Sequence, residues 1–430
     1  MPDSRSPCIR GVPSGFPRVL SMRERAEVMN SVLSDRLETI LPEAMRRAGL
    51  DMWLVLCQED NPDPVLGTLI PMDTWPPILT ALVFHDCGEA LGLECINLSG
   101  VNTHDLYDRP YRGQQEQEQW PLLLKIIEDR DPHSIGINVG EVQWAAGGLT
   151  HNLHRQLCSR LPDRFVQRLS SAEALVEYWL ACLSDTELML YEHVVSVARA
   201  LIAECYSRST IVPGATTTRD LEWHYWERVA ELGLEVAFKP YFNLIRSEEA
   251  VARFGPEDQV IRAGDVIHCD VGIKYLRLNS DHQQLAYVLR AGETAAPPGL
   301  RSLLAEANRL QEVFQAEFSR GLTGNELLAR ILDRAVAAGI PTPKVYSHSL
   351  GHMLHEPGPL IGLPWQQSAI AGRGEVRLEH NYAFTMELSV AARVPEWGEQ
   401  IVRLPLEEDV VFTSEGCQLI GGRQEEFLLV

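Results

Sequence analysis

Val266-Ile267-His268-Cys269-Asp270-Val271-Gly272 is an apolar run with an acid set inside it. It follows the turn Arg262-Ala263-Gly264-Asp265 and reads as a buried strand. A carboxylate placed there is costly unless it is paired or bound to a cation. Asp281 lies eleven residues on, where the approach to a second arm, Leu285 to Leu289, begins. The turn Arg290-Ala291-Gly292-Glu293 closes that arm. Two carboxylates on facing arms of a hairpin can converge, and like charges so placed need a cation between them. Taken alone, Asp281 reads better as a turn residue after Asn279-Ser280.

Three further pieces lie downstream. His348-Ser349-Leu350-Gly351-His352-Met353-Leu354-His355 holds three of the thirteen histidines in eight residues. Imidazole is both a common transition-metal ligand and the usual proton shuttle near neutral pH. The segment is not H-E-x-x-H, because Ser349 stands at the glutamate position. Glu387 interrupts the apolar run Ala383-Phe384-Thr385-Met386-Glu387-Leu388 and so needs a partner. Glu407 belongs to the acidic run Glu407-Glu408-Asp409, and most such runs are solvated.

Around these pieces the chain reads as two domains. An arm over 1–20 is expected to be flexible. Residues 21–172 alternate helices with short apolar strands, as an α/β domain does. Residues 23–49 are the first helix, Met52 to Cys57 the first strand, and Thr80 to His85, Leu91 to Leu98 and Ser134 to Val139 the next runs. Residues 173–430 place helices before antiparallel strands twice over, an α+β pattern. Ser184/Glu187 and Thr323/Glu326 are capping boxes that open two of those helices. Ala383 to Val390, Gln400 to Leu404 and Val410 to Thr413 are the last strands.

The order of these motifs resembles the pita-bread metallopeptidases: aminopeptidase P, prolidase, methionine aminopeptidase and the related creatinase. The family's D-x-G segment is matched by Asp270-Val271-Gly272, and its second aspartate by Asp281. Its H-G-I-G-x-x-x-H-E-x-P is matched by His348-Ser349-Leu350-Gly351 through His355-Glu356, with proline at 357 and again at 359. Its F-T-I-E-P is matched by Phe384 through Glu387, with Leu388 in place of the proline, and its E-D-x-V-x-V-T by Glu407 through Thr413. The α/β domain ahead resembles that of prolidase, aminopeptidase P and creatinase, so the resemblance spans nearly the whole chain. It implies a pita-bread catalytic domain at 173–430 behind a creatinase-like domain at 21–172. It also implies two divalent ions about 3.5–4 Å apart. Asp270 would hold one, His348 and Glu387 the other, and Asp281 and Glu407 would bridge them. Glu387 would also relay the proton of the attacking water, and His355 would donate to the oxyanion or the leaving nitrogen. Such ligation favours Mn²⁺, with Fe²⁺, Co²⁺ and Zn²⁺ as alternatives. The implied activity is hydrolysis of Xaa-Pro peptide bonds. The alternatives are a C–N hydrolase or lyase acting on a small non-peptide carboxylate, and a non-catalytic binding module.

The departures from the pattern bear on substrate. Arg253 stands where peptidases of the family carry a loop histidine, and His282-Gln283-Gln284 follows the second aspartate where T-R is usual. Arg253 reads equally as a carboxylate-binding group and as a surface residue. His352 is an extra imidazole, sharing a face with His348 if that segment is helical; a packed role suits it better than ligation.

Bulk properties limit the partners. The chain has 430 residues, 45% hydrophobic and 23% charged, with net charge −21. The acidic balance argues against a nucleic-acid partner. No run approaches the roughly 18 apolar residues of a membrane span. Nine irregularly spaced cysteines without C-x-x-C suggest reduced thiols and a cytoplasmic protein. A peptide or small-molecule substrate and a homodimer are the remaining expectations.

Overall fold

The computed structural model describes residues 15–76, 78–111 and 116–430, so most of the expected arm lies outside the described residues. The chain forms two compact units. One holds Ser21–Glu187 together with His355–Gly358; the other holds Leu188–Leu354 and Pro359–Val430, with residues 15–20 attached. The division falls after Glu187, inside a helix, where the sequence suggested a boundary after 172.

The first unit is a five-stranded sheet built from β1 (Met52–Gln58), β2 (Leu79–Asp86), β3 (Leu93–Asn97), β4 (Ile135–Ile137) and β5 (Leu169–Ser171), in the order β3-β2-β1-β4-β5. β1 pairs antiparallel with β2 and parallel with β4. The helix Met22–Ala48 starts at a Ser21/Glu24 capping box and stops at Gly49, whose φ of 65° suits a residue without a Cβ. Arg36 of this helix is buried, bonded to the carbonyls of Trp179 and Cys182 and paired with Glu187 at 2.6 Å. The expected Ser184/Glu187 box is present, so Glu187 caps a helix and neutralises Arg36 at once.

The second unit carries β6 (Glu235–Val236), β7 (Tyr241–Ile245), β8 (Val266–Val271), β9 (Ile273–Tyr275), β10 (Leu278–Asn279), β11 (His282–Tyr287), β12 (Lys344–Leu350), β13 (Leu360–Ile361), β14 (Tyr382–Val394), β15 (Gln400–Thr413), β16 (Gly416–Leu419) and β17 (Leu428–Leu429). The large sheet runs β13-β12-β14-β15-β11-β8-β7, with β16 beside β15 and β17 beside β11. β6, β9 and β10 form a small separate sheet. The helix Pro298–Ala316 packs on β14 and β15, burying Leu300, Leu303, Leu304, Ala307, Leu310 and Phe314 at helical spacing. This is the pita-bread architecture, with a smaller α/β unit ahead of it.

Three local expectations are corrected. The second hairpin arm is His282–Tyr287, not Leu285 to Leu289, because β9 and β10 fold back within the connection. The acidic run does not separate two short strands; Glu407, Glu408 and Asp409 lie at most 1% exposed in the continuous strand β15. The His348 segment is not helical. His348 lies on β12 and His352 in the loop beyond it, so the two share no helix face.

Candidate metal centre

Strand register assembles the site. Asp270 faces Gln283 across β8 and β11, Gln283 faces Glu407, Glu407 faces Glu387, and Glu387 faces Tyr346. Directly opposed residues of antiparallel strands point to the same face, so one row crosses five strands. Two residues further along lie Asp281, Asp409, Thr385 and His348, on the same face by the period of two. Gly272 makes the turn into this arrangement. A Cβ there would meet the Ser280 carbonyl oxygen at 2.0 Å, so only glycine lets the chain return closely enough to place Asp281.

Ligand atoms of Asp281, His348 and Glu407 lie within 4.8 Å of one another, and all three residues are buried. His348 Nε2 is 3.8 Å from Asp281 Oδ2. His348 Nδ1 is 3.1 Å from the Ser349 carbonyl oxygen, which can only accept. The ring proton therefore sits on Nδ1, and Nε2 presents its lone pair to the carboxylates. Asp281 Oδ1 and Glu407 Oε1 are buried with no hydrogen-bond partner. Buried oxygen atoms left so, with an imidazole beside them, fit a divalent cation. Asp270 and Glu387 share the row of Glu407 but stand outside this tight group.

The electrostatics agree. Burial, reinforced by Asp270, Asp409 and Glu387, pushes the Asp281 carboxyl well above the usual range. Burial does the same to Glu407, with Asp281, Glu387 and Asp270 adding to it and the Gln283 hydrogen bond opposing it. Burial raises Asp270 to about 6 and Glu387 to about 7. A cluster that resists ionisation by itself is one that a cation stabilises.

Other residues support this set. The Asp281 backbone N–H donates to the Asp409 carboxylate at 3.2 Å, fixing the ligand's main chain. Behind the row, Arg199 pairs with buried Glu408 at 2.6 Å, and the Gln424 N–H donates to the same carboxylate. Neither Asp409 nor Arg199 was singled out from the sequence. Alternation within β15 is the signal for Asp409, since it shares a face with Glu407.

Arg253, His352 and His355 complete the candidates named from the sequence. Arg253 is exposed near the end of the helix Glu248–Phe254, its guanidinium 5.0 Å from the Phe254 ring centroid. No hydrogen bond or ion pair joins it to the carboxylates among the described residues. His352 is 6% exposed, which suits a packed residue. His355 belongs to the segment that groups with the first unit. A pocket beside Glu387 is lined by Lys344, Tyr346, Ser389, Arg403 and Pro405. Lys344 Nζ donates to the Pro364 carbonyl and Arg403 Nη1 to Ser389 Oγ, so both cations are held at its wall.

The family model described as metallopeptidase family M24 matches residues 190–414, more than half of the chain. The chain belongs to metallopeptidase family M24. Solved structures agree in fold. The X-Pro aminopeptidase from Thermotoga maritima MSB8 superposes with a TM-score of 0.63 at 17% identity, covering 90% of this chain and 100% of that one. The Xaa-Pro dipeptidase from Bacillus anthracis gives 0.60 at 16%, over 95% and 100%. The prolidase from Pyrococcus horikoshii OT3 gives 0.55 at 15%, over 93% and 99%. No curated protein matches the chain in sequence. At such identities these structures establish the shared fold and nothing finer. Among the described residues no helix is long and apolar enough to cross a membrane.

Proposed function

We propose that this M24 protein is a divalent-metal-dependent exopeptidase that hydrolyses Xaa-Pro bonds, with free dipeptides as its preferred substrates. The observation that carries the metal dependence is the pair of partnerless buried oxygens, Asp281 Oδ1 and Glu407 Oε1, on residues whose ligand atoms lie within 4.8 Å of one another and of a ligand atom of His348. Asp281, His348 and Glu407 would hold the ion, with Glu387 beside them. When bound, the ion lowers the pKa of a water and polarises the scissile carbonyl, for which Mn²⁺ is the expected species. Glu387 would take the proton of that water and return it to the leaving nitrogen. On the family resemblance alone, His355 would donate a hydrogen bond to the oxyanion or the leaving nitrogen.

The preference for a free dipeptide is supported by Lys344 and Arg403 at the pocket beside Glu387. A guanidinium and an ammonium there suit a terminal carboxylate. The same pocket supports a second reading, a small non-peptide carboxylate cleaved at a C–N bond. The test is a panel of Xaa-Pro dipeptides, their amides, Xaa-Pro-Yaa tripeptides and non-proline controls with Mn²⁺. Dipeptides are expected to outperform amides by about tenfold or more in kcat/KM, the gap shrinking in Arg403→Ala. Metal binding without cleavage of any proline peptide would leave the non-peptide reading in its place.

A further inference from the structure

The row Asp270–Gln283–Glu407 contains a carboxamide between two acids, at the place where the family resemblance puts one of two ions. We propose that Gln283 closes that position, so that this centre holds a single ion on Asp281, His348 and Glu407. The proposal rests on the metallopeptidase reading of the site.

Gln283 lies directly across from Asp270 on one side and Glu407 on the other. Its Nε2 donates to Glu407 Oε2 at 2.7 Å. A bridging carboxylate offers one oxygen to each ion, and here one of the two is already engaged by an N–H. The amide nitrogen has no lone pair for a cation and presents partially positive hydrogens to the space between the acids. The one atom of Gln283 able to ligate, Oε1, is taken up at 2.9 Å by His268 Nε2. The neutral ring has one proton, which serves Gln283 Oε1 from Nε2; its Nδ1 is 2.8 Å from the Asn243 side-chain amide, which donates to it when turned to present its NH₂. Asn243, His268, Gln283 and Glu407 thus form a continuous chain across four strands. Gln283 is 3% exposed and His268 6%, so rotating the amide away leaves buried polar groups without partners. Asp270 keeps its place in the row, with Gln283 standing between it and Glu407, and it does not join the tight ligand group. The consequence is a second ion bound at least about a hundredfold more weakly than the first.

Metal stoichiometry tests this without recourse to activity. His85, Cys87 and Glu94 also bring ligand atoms within 4.8 Å of one another, although Arg130 already pairs with Glu94 at 2.6 Å. Counting is therefore done in a Cys87→Ala background. The full chain is dialysed to equilibrium against Mn²⁺, analysed for metal, and examined by electron paramagnetic resonance. The expected result is one Mn²⁺ per chain with an uncoupled spectrum. Gln283→Thr, whose side chain is too short to keep both contacts, is expected to take up a second ion and show exchange coupling. Gln283→Glu keeps the length and supplies an oxygen in place of the NH₂; it is expected to do the same, and it serves if the threonine variant fails to fold. Two ions in the parent chain overturn the proposal, as do folded variants that still bind one. No ion in any of the chains instead overturns the metallopeptidase reading beneath it.

Discussion

Asp281 Oδ1 and Glu407 Oε1 are buried without partners, so without metal the ligand set works against the fold. Chelated protein should therefore gain from Asp281→Asn, by about 1–3 kcal/mol, while the same substitution removes the stabilisation given by Mn²⁺. Paired thermal melts with and without metal check both halves; lower stability of the chelated variant would contradict the account. Asp63, far from this chemistry in sequence, makes a pH prediction. It is 1% exposed, accepts from the Asn138 amide at 2.8 Å and from the Val65 N–H at 3.0 Å, and burial raises its carboxyl to about 6. A raised folded-state value means that the native state holds the proton longer than the unfolded chain does. Its contribution is complete below the ordinary value of 3.8 and is lost as pH rises through about 6, on the order of 3 kcal/mol in all. Denaturant midpoints of the parent should fall more steeply with pH over that window than those of Asp63→Asn. Of the substrate candidates, Arg253→Ala should leave KM for dipeptides nearly unchanged, since Arg253 is exposed and stacked on Phe254.

At the scale of elements, the helices and their caps are largely legible in sequence, because Ser184/Glu187 and Thr323/Glu326 act within four residues. What Glu187 does beyond its helix is not legible. Its bond to Arg36 spans 151 positions and depends on how three helices meet. Glu187→Ala should cost about 3–5 kcal/mol, the penalty of a buried guanidinium left without its carboxylate. Thr323→Ala, which loses a cap alone, should cost about 1 kcal/mol. Equal losses in chemical denaturation would show that Arg36 is not held by Glu187. Asp270 and Glu387 are legible as charges interrupting apolar runs, whereas Asp281 taken alone reads as a turn residue. The β15 acids are not legible, because the burial that distinguishes Glu407 from a solvated acid comes from β11 and β14 on either side of it. The inserted β9–β10 hairpin was hidden for a related reason. It relies on Leu276 and Arg277 at positive φ, which no glycine advertises.

For the whole molecule, family membership and the pita-bread fold are settled by residues 190–414 and by the strand order of the large sheet. The proposed dipeptide preference and single-ion centre rest on features that no pattern of spacing contains: two cations at a pocket wall and a glutamine between two acids. The central claim is that Asp281, His348 and Glu407 hold a divalent ion that drives cleavage of Xaa-Pro bonds. It is tested most directly by following Xaa-Pro dipeptide hydrolysis with chelated protein, during titration back with Mn²⁺, alongside the His348→Ala chain. The account predicts no turnover after chelation, recovery in step with metal bound, and neither metal uptake nor recovery in His348→Ala. Full turnover by metal-free protein, or a metal-loaded chain that cleaves no Xaa-Pro dipeptide, would contradict it.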